Sequence, residues 1–350
     1  MSCSQCTTTP KLPAGPQVLH LNAAHEYILE KIGSLLVQGG VQPDRHGTYL
    51  SATIEDFATI IHMLGSSDSL TELECQNINI LPLSPGESLD FGKMGRTKTL
   101  EGWYTLHRAR DLVWILDNGS LTVHFQPIVD AATQEIYAYE CLARGVLADG
   151  QLMNPGAMFD AARKTGMLFN LDRQCRESAI KTAAVKNVHK SIFINFQPSS
   201  IYNPEFCLRD TVHWARQLDF DPRSIVFEVV ETEKVTNLSH LMHILQYYKE
   251  KGFRTALDDV GSGYSSLNLL VSMAPDIIKM DMELVRDIHC SDMKQSVARA
   301  LIGLAREAGC KILAEGVETR SEWDWLQAQG VDYLQGYYFG KPSAEPLRQL

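Results

Sequence analysis

The sequence predicts an α/β protein whose larger part is a TIM-like (β/α)₈ barrel with its first strand antiparallel, preceded by a small, mostly helical N-terminal region. Three observations lead there. Short β-branched runs recur eight times between residues 121 and 334. Helix-length amphipathic segments separate most of them, as parallel strands require, because a parallel crossover takes a dozen or more residues. Acidic residues gather within or just after those runs, where a barrel of this type places its active face.

Residues 1–22 contain Thr7-Thr8-Thr9-Pro10, Pro13 and Gly15-Pro16, and read as a mobile arm without regular structure. Residues 23–105 show helical periodicity over 27–37 and 54–64, then a Gly- and Pro-bearing loop over 82–95. By position this region is a sensory or docking module, or packing for the barrel. Apolar residues at 106, 109, 112, 113 and 116 predict an amphipathic helix that ends at Asp117-Asn118-Gly119, and the main domain is expected over 106–350. The strand runs are 121–129, 136–142, 191–196, 225–230, 254–257, 276–280, 311–314 and 333–334. Only a tight turn at 130–133 joins the first two. That link is too short for a parallel crossover, so strand one is expected to run antiparallel to strand two.

A formal charge of −10 argues against nonspecific binding to DNA or RNA duplexes, and an anionic substrate would need help from cations. Eight scattered cysteines, several inside apolar runs, suit reduced thiols in a cytoplasmic protein. With no signal pattern and no run of 18 apolar residues, neither export nor direct membrane insertion is expected.

The strand-end acids are Glu140, Glu228, Glu231, Asp258, Asp259, Asp281 and Glu315, and Asn195 adds a neutral oxygen. One such carboxylate is an ordinary solvated strand terminus. Several of them converging on one barrel mouth make a site for hard cations such as Mg²⁺ or Mn²⁺, which take oxygen ligands and activate water. Lys279 lies on the apolar run 275–281 and points either outward, as a surface lysine, or inward, as a charge partner or catalytic group.

The motifs themselves resemble the EAL family of cyclic di-GMP phosphodiesterases. In order they are Phe125-Gln126-Pro127-Ile128-Val129, Tyr139-Glu140-Cys141-Leu142-Ala143-Arg144, Phe193-Ile194-Asn195 and Phe227-Glu228-Val229-Val230-Glu231. Then come Leu257-Asp258-Asp259-Val260-Gly261-Ser262-Gly263, Ile278-Lys279-Met280-Asp281, Ala314-Glu315-Gly316-Val317-Glu318-Thr319 and Gln335-Gly336-Tyr337-Tyr338. The resemblance implies a barrel with an antiparallel first strand, hydrolysis of cyclic di-GMP to linear pGpG, and a homodimer formed through the barrel. It implies one metal on Glu140, Asn195, Glu228 and Asp258, and a second on Asp258, Asp259 and Glu315. It also implies substrate contacts at Gln126, Arg144, Glu318 and Gln335, a water-positioning role for Lys279 with Glu315 as the alternative base, and a loop braced by Glu231. Two departures stand out. Cys141 replaces the alanine of the family name, a small-for-small exchange that leaves a buried thiol or, with thiolate character and exposure, a redox sensor. Val260 stands where phenylalanine is common, which leaves open a cyclic di-GMP receptor signalling through the N-terminal region without cutting. A barrel phosphodiesterase acting on another nucleotide is a third reading.

Cys3, Cys6, His20 and His25 have the spacing of a zinc site, but Pro10, Pro13 and Pro16 oppose the hairpin that presents such ligands, so a mobile arm is the simpler expectation.

Overall fold

The structure is a computed structural model that describes residues 8–229, 238–260 and 266–350. It divides into two compact units. One comprises the described chain up to Asn118 together with Ala157–Leu168, and the other comprises Gly119–Gly156 with Phe169–Leu350. The structural division thus falls at 118/119, after the helix that the sequence assigns to the main domain. No helix among the described residues is long and apolar enough to cross a membrane.

The N-terminal unit contains β1 (Gln17–Ala23), α1 (Glu26–Gln38), β2 (Asp44–His46), β3 (Tyr49–Ile54), α2 (Phe57–Gly65), α3 (Glu72–Asn77), β4 (Ile78–Leu83), β5 (Lys98–Thr99), α4 (Leu100–Arg108) and α5 (Arg110–Asn118). The helices expected over 27–37 and 54–64 are present. The region is nevertheless built on a five-stranded antiparallel sheet of order β2-β3-β1-β4-β5, so the mostly helical expectation is corrected. Part of the presumed arm is its central strand. Leu19 and Leu21 alternate with His20 and Asn22, and this period of two buries one face against α1, α2 and α4 through Ile32, Phe57, Ile61 and Trp103. The prolines that suggested an arm all precede that strand. Of the zinc-type pattern, Cys3 and Cys6 lie outside the described residues, while His20 is mid-strand and His25 precedes α1.

The second stretch begins with β6 (Leu121–Asp130), β7 (Ile136–Val146) and β8 (Leu152–Met153), followed by α6 (Pro155–Thr165) and α7 (Leu168–Val185). It continues as β9 (Ser191–Phe196), α8 (Pro204–Cys207), α9 (Arg209–Gln217), β10 (Ile225–Val229), α10 (Leu238–Glu250), β11 (Arg254–Val260) and α11 (Ser266–Met273). It ends with β12 (Ile277–Met280), α12 (Met282–Val285), α13 (Asp292–Ala308), β13 (Lys311–Ala314), α14 (Arg320–Ala328) and β14 (Tyr333–Gln335). The order β6-β14-β13-β12-β11-β10-β9-β7 closes through β6–β7, giving an eight-stranded barrel with β8 appended to β7. β6 is antiparallel to both its neighbours and the remaining barrel pairings are parallel, as the turn-length argument requires.

The barrel interior is packed. Each strand contributes one residue to an inner apolar cluster: Ile128, Ala138, Phe193, Val226, Ala256, Ile277, Leu313 and Tyr333. Because strand side chains alternate with period two, the next inward position on each strand lies two residues further towards the barrel mouth.

Candidate active site

That two-residue step places the polar residues. From the apolar layer it reaches Glu140, Asn195, Glu228, Asp258, Lys279, Glu315 and Gln335, and on antiparallel β6 it runs backwards to Gln126. Eight strands therefore present eight polar or charged groups directly above a hydrophobic floor. Lys279 points inward by the same parity that buries Ile277, which settles its orientation.

Lys279 is 1% exposed, and its Nζ lies 2.7 Å from Glu228 Oε1, 3.0 Å from Asp258 Oδ1 and 2.7 Å from Glu315 Oε1. Burial opposes its charge, but Asp258, Glu228, Glu315 and Glu140 outweigh that effect and hold its pKa well above the usual lysine value. Burial also raises the carboxyls. Glu228 stands well above the ordinary range, with Lys279 only partly offsetting the desolvation, and Glu315 is pushed up to about 8 by burial, despite Lys279, with the charges of Asp258 and Glu140 adding to it. On the other side of the layer, Asn195 Nδ2 donates to Glu140 Oε1 at 2.8 Å and Gln335 Nε2 donates to Glu140 Oε2 at 2.7 Å. Both amides fix Glu140 with their N–H groups and so turn their oxygens elsewhere.

The donors fit a hard cation. Buried Glu228 Oε2 and Gln335 Oε1 have no hydrogen-bond donor among the described residues, and every other candidate ligand atom is an oxygen. Among the described residues no group of three or more His, Cys, Asp or Glu side chains is spaced to hold a metal ion as it stands. Lys279 Nζ stands where three carboxylates meet and supplies the positive charge there.

Above the layer opens a cleft of about 390 Å³, lined by Gln126, Glu140, Asp258, Lys279, Glu315, Glu318 and Gln335 among the residues singled out in sequence. Asn195 and Glu228 do not line it, but contact Glu140 and Lys279 respectively. Arg144 does not line this cleft. It is four residues from Glu140 on the same strand face, but its guanidinium folds back to donate to the carbonyls of Leu142 and Ala143 at 3.2 and 2.8 Å. Asp281 caps α12 by accepting from Glu283 N at 2.8 Å. Glu231, and the side chains of Asp259 and Val260, lie outside the described residues. Cys141 is buried and burial pushes its thiol pKa up, the opposite of a reactive thiolate.

Sequence reasoning missed several groups. Met282, Arg286 and Tyr337 line the cleft, and Gly316 and Gly336 let loops approach closely there. A Cβ at Gly336 would stand 2.0 Å from Val317 O. Asp172, buried on α7, accepts from Gln197 N at 2.9 Å and Ser200 Oγ at 2.6 Å, holding the turn two residues beyond Asn195. The polarity of Asp172 at a buried helical position was the one available cue.

Comparison with known proteins places this geometry. The EAL domain profile matches residues 107–342. A standalone EAL protein from Vibrio cholerae O395, solved in its c-di-GMP-bound form, is 39% identical, with a TM-score of 0.60 over 66% of this chain and 95% of that one. The "Probable cyclic di-GMP phosphodiesterase PdeA" of Escherichia coli K12 is 27% identical over 292 residues, which is 83% of this chain and 38% of that protein. The chain spans 29% of "Signaling protein YkoW" of Bacillus subtilis, and so less than half of either curated relative. At 21% identity, Klebsiella pneumoniae BlrP1, captured with calcium and cy-diGMP, shares the fold over 94% of this chain with a TM-score of 0.58.

Proposed function

The chain belongs to the EAL domain family, and from that premise we propose that it hydrolyses cyclic di-GMP to linear pGpG with two divalent cations, Mg²⁺ or Mn²⁺. The observation that carries the reading is an excess of acidic groups over basic ones. Glu140, Glu228, Asp258 and Glu315 face one ammonium, Lys279, at the base of a cleft that would have to admit an anionic phosphodiester. Divalent cations resolve that conflict, since Lys279 is the sole protein cation among the described residues of the layer.

Glu140, Asn195, Glu228 and Asp258 would hold one ion, and Asp258, Asp259 and Glu315 the other. Once bound, the ions stabilise charge on the phosphoryl oxygens and make water acidic enough to be a nucleophile at neutral pH. The protein's own groups do the rest. Lys279 holds Glu228, Asp258 and Glu315 in one fixed arrangement and keeps cationic charge beside the reacting phosphate. Lys279 also positions the attacking water, and Glu315, 2.7 Å from its Nζ, is the alternative acceptor of that water's proton. The water oxygen forms a bond to phosphorus in line with the bond to the 3′ oxygen, which breaks. The leaving oxygen takes up a proton, and the ring opens to a linear dinucleotide with a 5′ phosphate. Gln126 and Glu318 are placed in the cleft to meet the nucleotide, Gln335 orients Glu140, and Arg144 reaches a phosphate only after releasing its own strand's carbonyls. The same reading takes the protein as a cytoplasmic homodimer joined through the barrel, with Glu231 bracing the loop after β11.

The test is chromatographic detection of product from cyclic di-GMP with Mg²⁺ or Mn²⁺, comparing the wild type with Glu140→Ala. Linear pGpG from the wild type alone supports the reading. Binding by the wild type without product from either metal refutes hydrolysis and leaves a receptor.

A further inference from the structure

Arg286 lines the cleft at the end of α12, and its Nη2 lies 2.7 Å from Glu318 Oε1. Both side chains are half-exposed, 44% and 45%, which is unlike the buried ion pairs below them. The backbone carrying this exposed pair is nonetheless pinned. Glu322 is 2% exposed and accepts from Asp287 N at 2.8 Å through one oxygen, and from Glu318 N and Thr319 N at 2.8 and 2.9 Å through the other. One buried carboxylate thus ties the residue after Arg286 to Glu318 itself. Lys294 Nζ adds a bond to Arg286 O at 2.6 Å, and Asp287 takes a left-handed backbone, φ 54°, a conformation that Asp adopts more readily than most residues. Two loops from adjacent strands are locked so that a guanidinium and a carboxylate stand side by side, facing solvent at the rim of the cleft.

We propose that Arg286, presented beside Glu318 by the Glu322 tie, is the residue that makes this cleft select guanine over adenine. The inference rests on the reading of cyclic di-GMP as substrate and assigns a recognition role to a residue outside the polar layer. Guanine offers acceptors, O6 and N7, on one edge and donors, N1–H and the N2 amino group, on the next. Arginine meets the first edge with two parallel hydrogen bonds and a carboxylate accepts from the second. Adenine has an amino donor where guanine has O6 and an acceptor at N1. It would set a donor against the guanidinium and a lone pair against Glu318. A dyad of opposite charges in fixed register is therefore complementary to guanine and mismatched to adenine. A lone arginine would add affinity for any phosphate without this discrimination.

The test is calorimetric binding of cyclic di-GMP and, separately, cyclic di-AMP to the full chain with Ca²⁺ in place of Mg²⁺, for the wild type, Arg286→Met and Arg286→Lys. Methionine keeps the aliphatic stem, and the position is exposed enough that the melting temperature should not move. The expected result is a loss of about ten- to hundredfold in affinity for cyclic di-GMP in Arg286→Met. Binding of cyclic di-AMP should stay within about threefold, so that the preference collapses, and Arg286→Lys should restore it only in part because a point charge cannot form the paired contact. Equal weakening of both dinucleotides, or no change in either, overturns the proposal while leaving hydrolysis untouched. Wild-type protein that binds neither dinucleotide overturns both readings. Discrimination through Arg286 with no product under Mg²⁺ or Mn²⁺ upholds this inference and defeats hydrolysis.

Discussion

Replacing Lys279 with methionine removes the one cation found among the described residues of the polar layer while keeping the volume of the side chain. In the native arrangement its Nζ lies within 3.0 Å of oxygens from Glu228, Asp258 and Glu315, and Glu228 is completely buried. Breaking a buried pair by deleting one partner costs about 3–5 kcal/mol, because the other charge is left uncompensated. Three partners would raise that figure, but a buried carboxyl can shed the cost by taking up a proton, so we expect about 3–5 kcal/mol for the barrel near neutral pH in the presence of a chelator. For a domain of this size that corresponds to a drop of roughly 6–20 °C in melting temperature. The pH dependence has a definite sign. The folded-state pKa values of Glu228 and Glu315 are already raised and rise further without the ammonium. A carboxyl of this kind makes its full contribution to stability below its unfolded value, about 4.3, and loses that contribution as the pH climbs through the folded value. The deficit of the variant should therefore shrink towards about pH 5 and widen towards about pH 8. Divalent cations should rescue it, by about 2.7 kcal/mol when present at about a hundred times their dissociation constant. Denaturant titrations of the wild type and Lys279→Met, at both pH values and with and without Mg²⁺, measure all three effects. A loss below about 1 kcal/mol in chelator, or a deficit independent of pH, would refute the claim that Lys279 neutralises this layer.

Two further outcomes concern the loops above the layer. Glu322→Gln replaces a carboxylate that receives three backbone N–H groups with one carbonyl oxygen and a donor that faces them. It should cost about 1–3 kcal/mol and weaken cyclic di-GMP binding, read by denaturation and calorimetry. Burial works against the Glu322 carboxylate, but those N–H groups hold its pKa below the usual value, so its contribution is present above the unfolded pKa and lost as pH falls through the folded one. The Glu322→Gln deficit should accordingly narrow in acid, and a deficit that widens there would contradict this account. In Gly336→Ala the added methyl would meet Val317 O at 2.0 Å, a backbone atom that cannot swing aside, and overpacking of this kind costs about 1–3 kcal/mol or more. A melting temperature equal to the wild type would show that the loop after β13 is free to shift.

Much of the barrel was legible because its information is local. The runs at 191–196, 311–314 and 333–334 fall on β9, β13 and β14, and the antiparallel start followed from the length of one turn. Glu140 and Glu228 announced themselves as acids within strands, and Glu315 as the acid directly after one. What the sequence hid was either tertiary or too short to carry a pattern. β1 offers only Leu19 and Leu21 as buried alternation and comes after a proline-rich stretch, so its sheet partners β3 and β4 are what make it a strand. Arg286, Asp172 and Glu322 sit on or beside helices, where their polarity looks like ordinary helix surface. Their roles depend on hydrogen bonds to segments 25 to 35 residues away. Arg144 shows the limit of local information, since strand parity gives its face but a rotamer decides its partners.

The inward lysine also explains how such a layer can exist at all. A site that binds hard cations must gather anions, and gathering them over an apolar floor of Phe193, Val226 and Ile277 is costly because each loses its water. Apolar replacements of similar volume would pack without that cost, so the layer is expected to lower the stability of the barrel relative to a hydrophobic plug. Lys279 offsets part of the cost by serving three carboxylates with the three protons of one ammonium. Glu140 is steadied separately by the amides of Asn195 and Gln335, which satisfy its oxygens without cancelling its charge. On the proposed reading, the acids left without a basic partner would give the site its affinity for cations. A second lysine in the layer would stabilise the fold and weaken that affinity, and with no lysine cations would have to compete with protons for the carboxyls. A single cation shared among three of the four acids lies between those limits, and on the proposed reading it would tie the stability of the barrel and its readiness to bind metal to the same side chain.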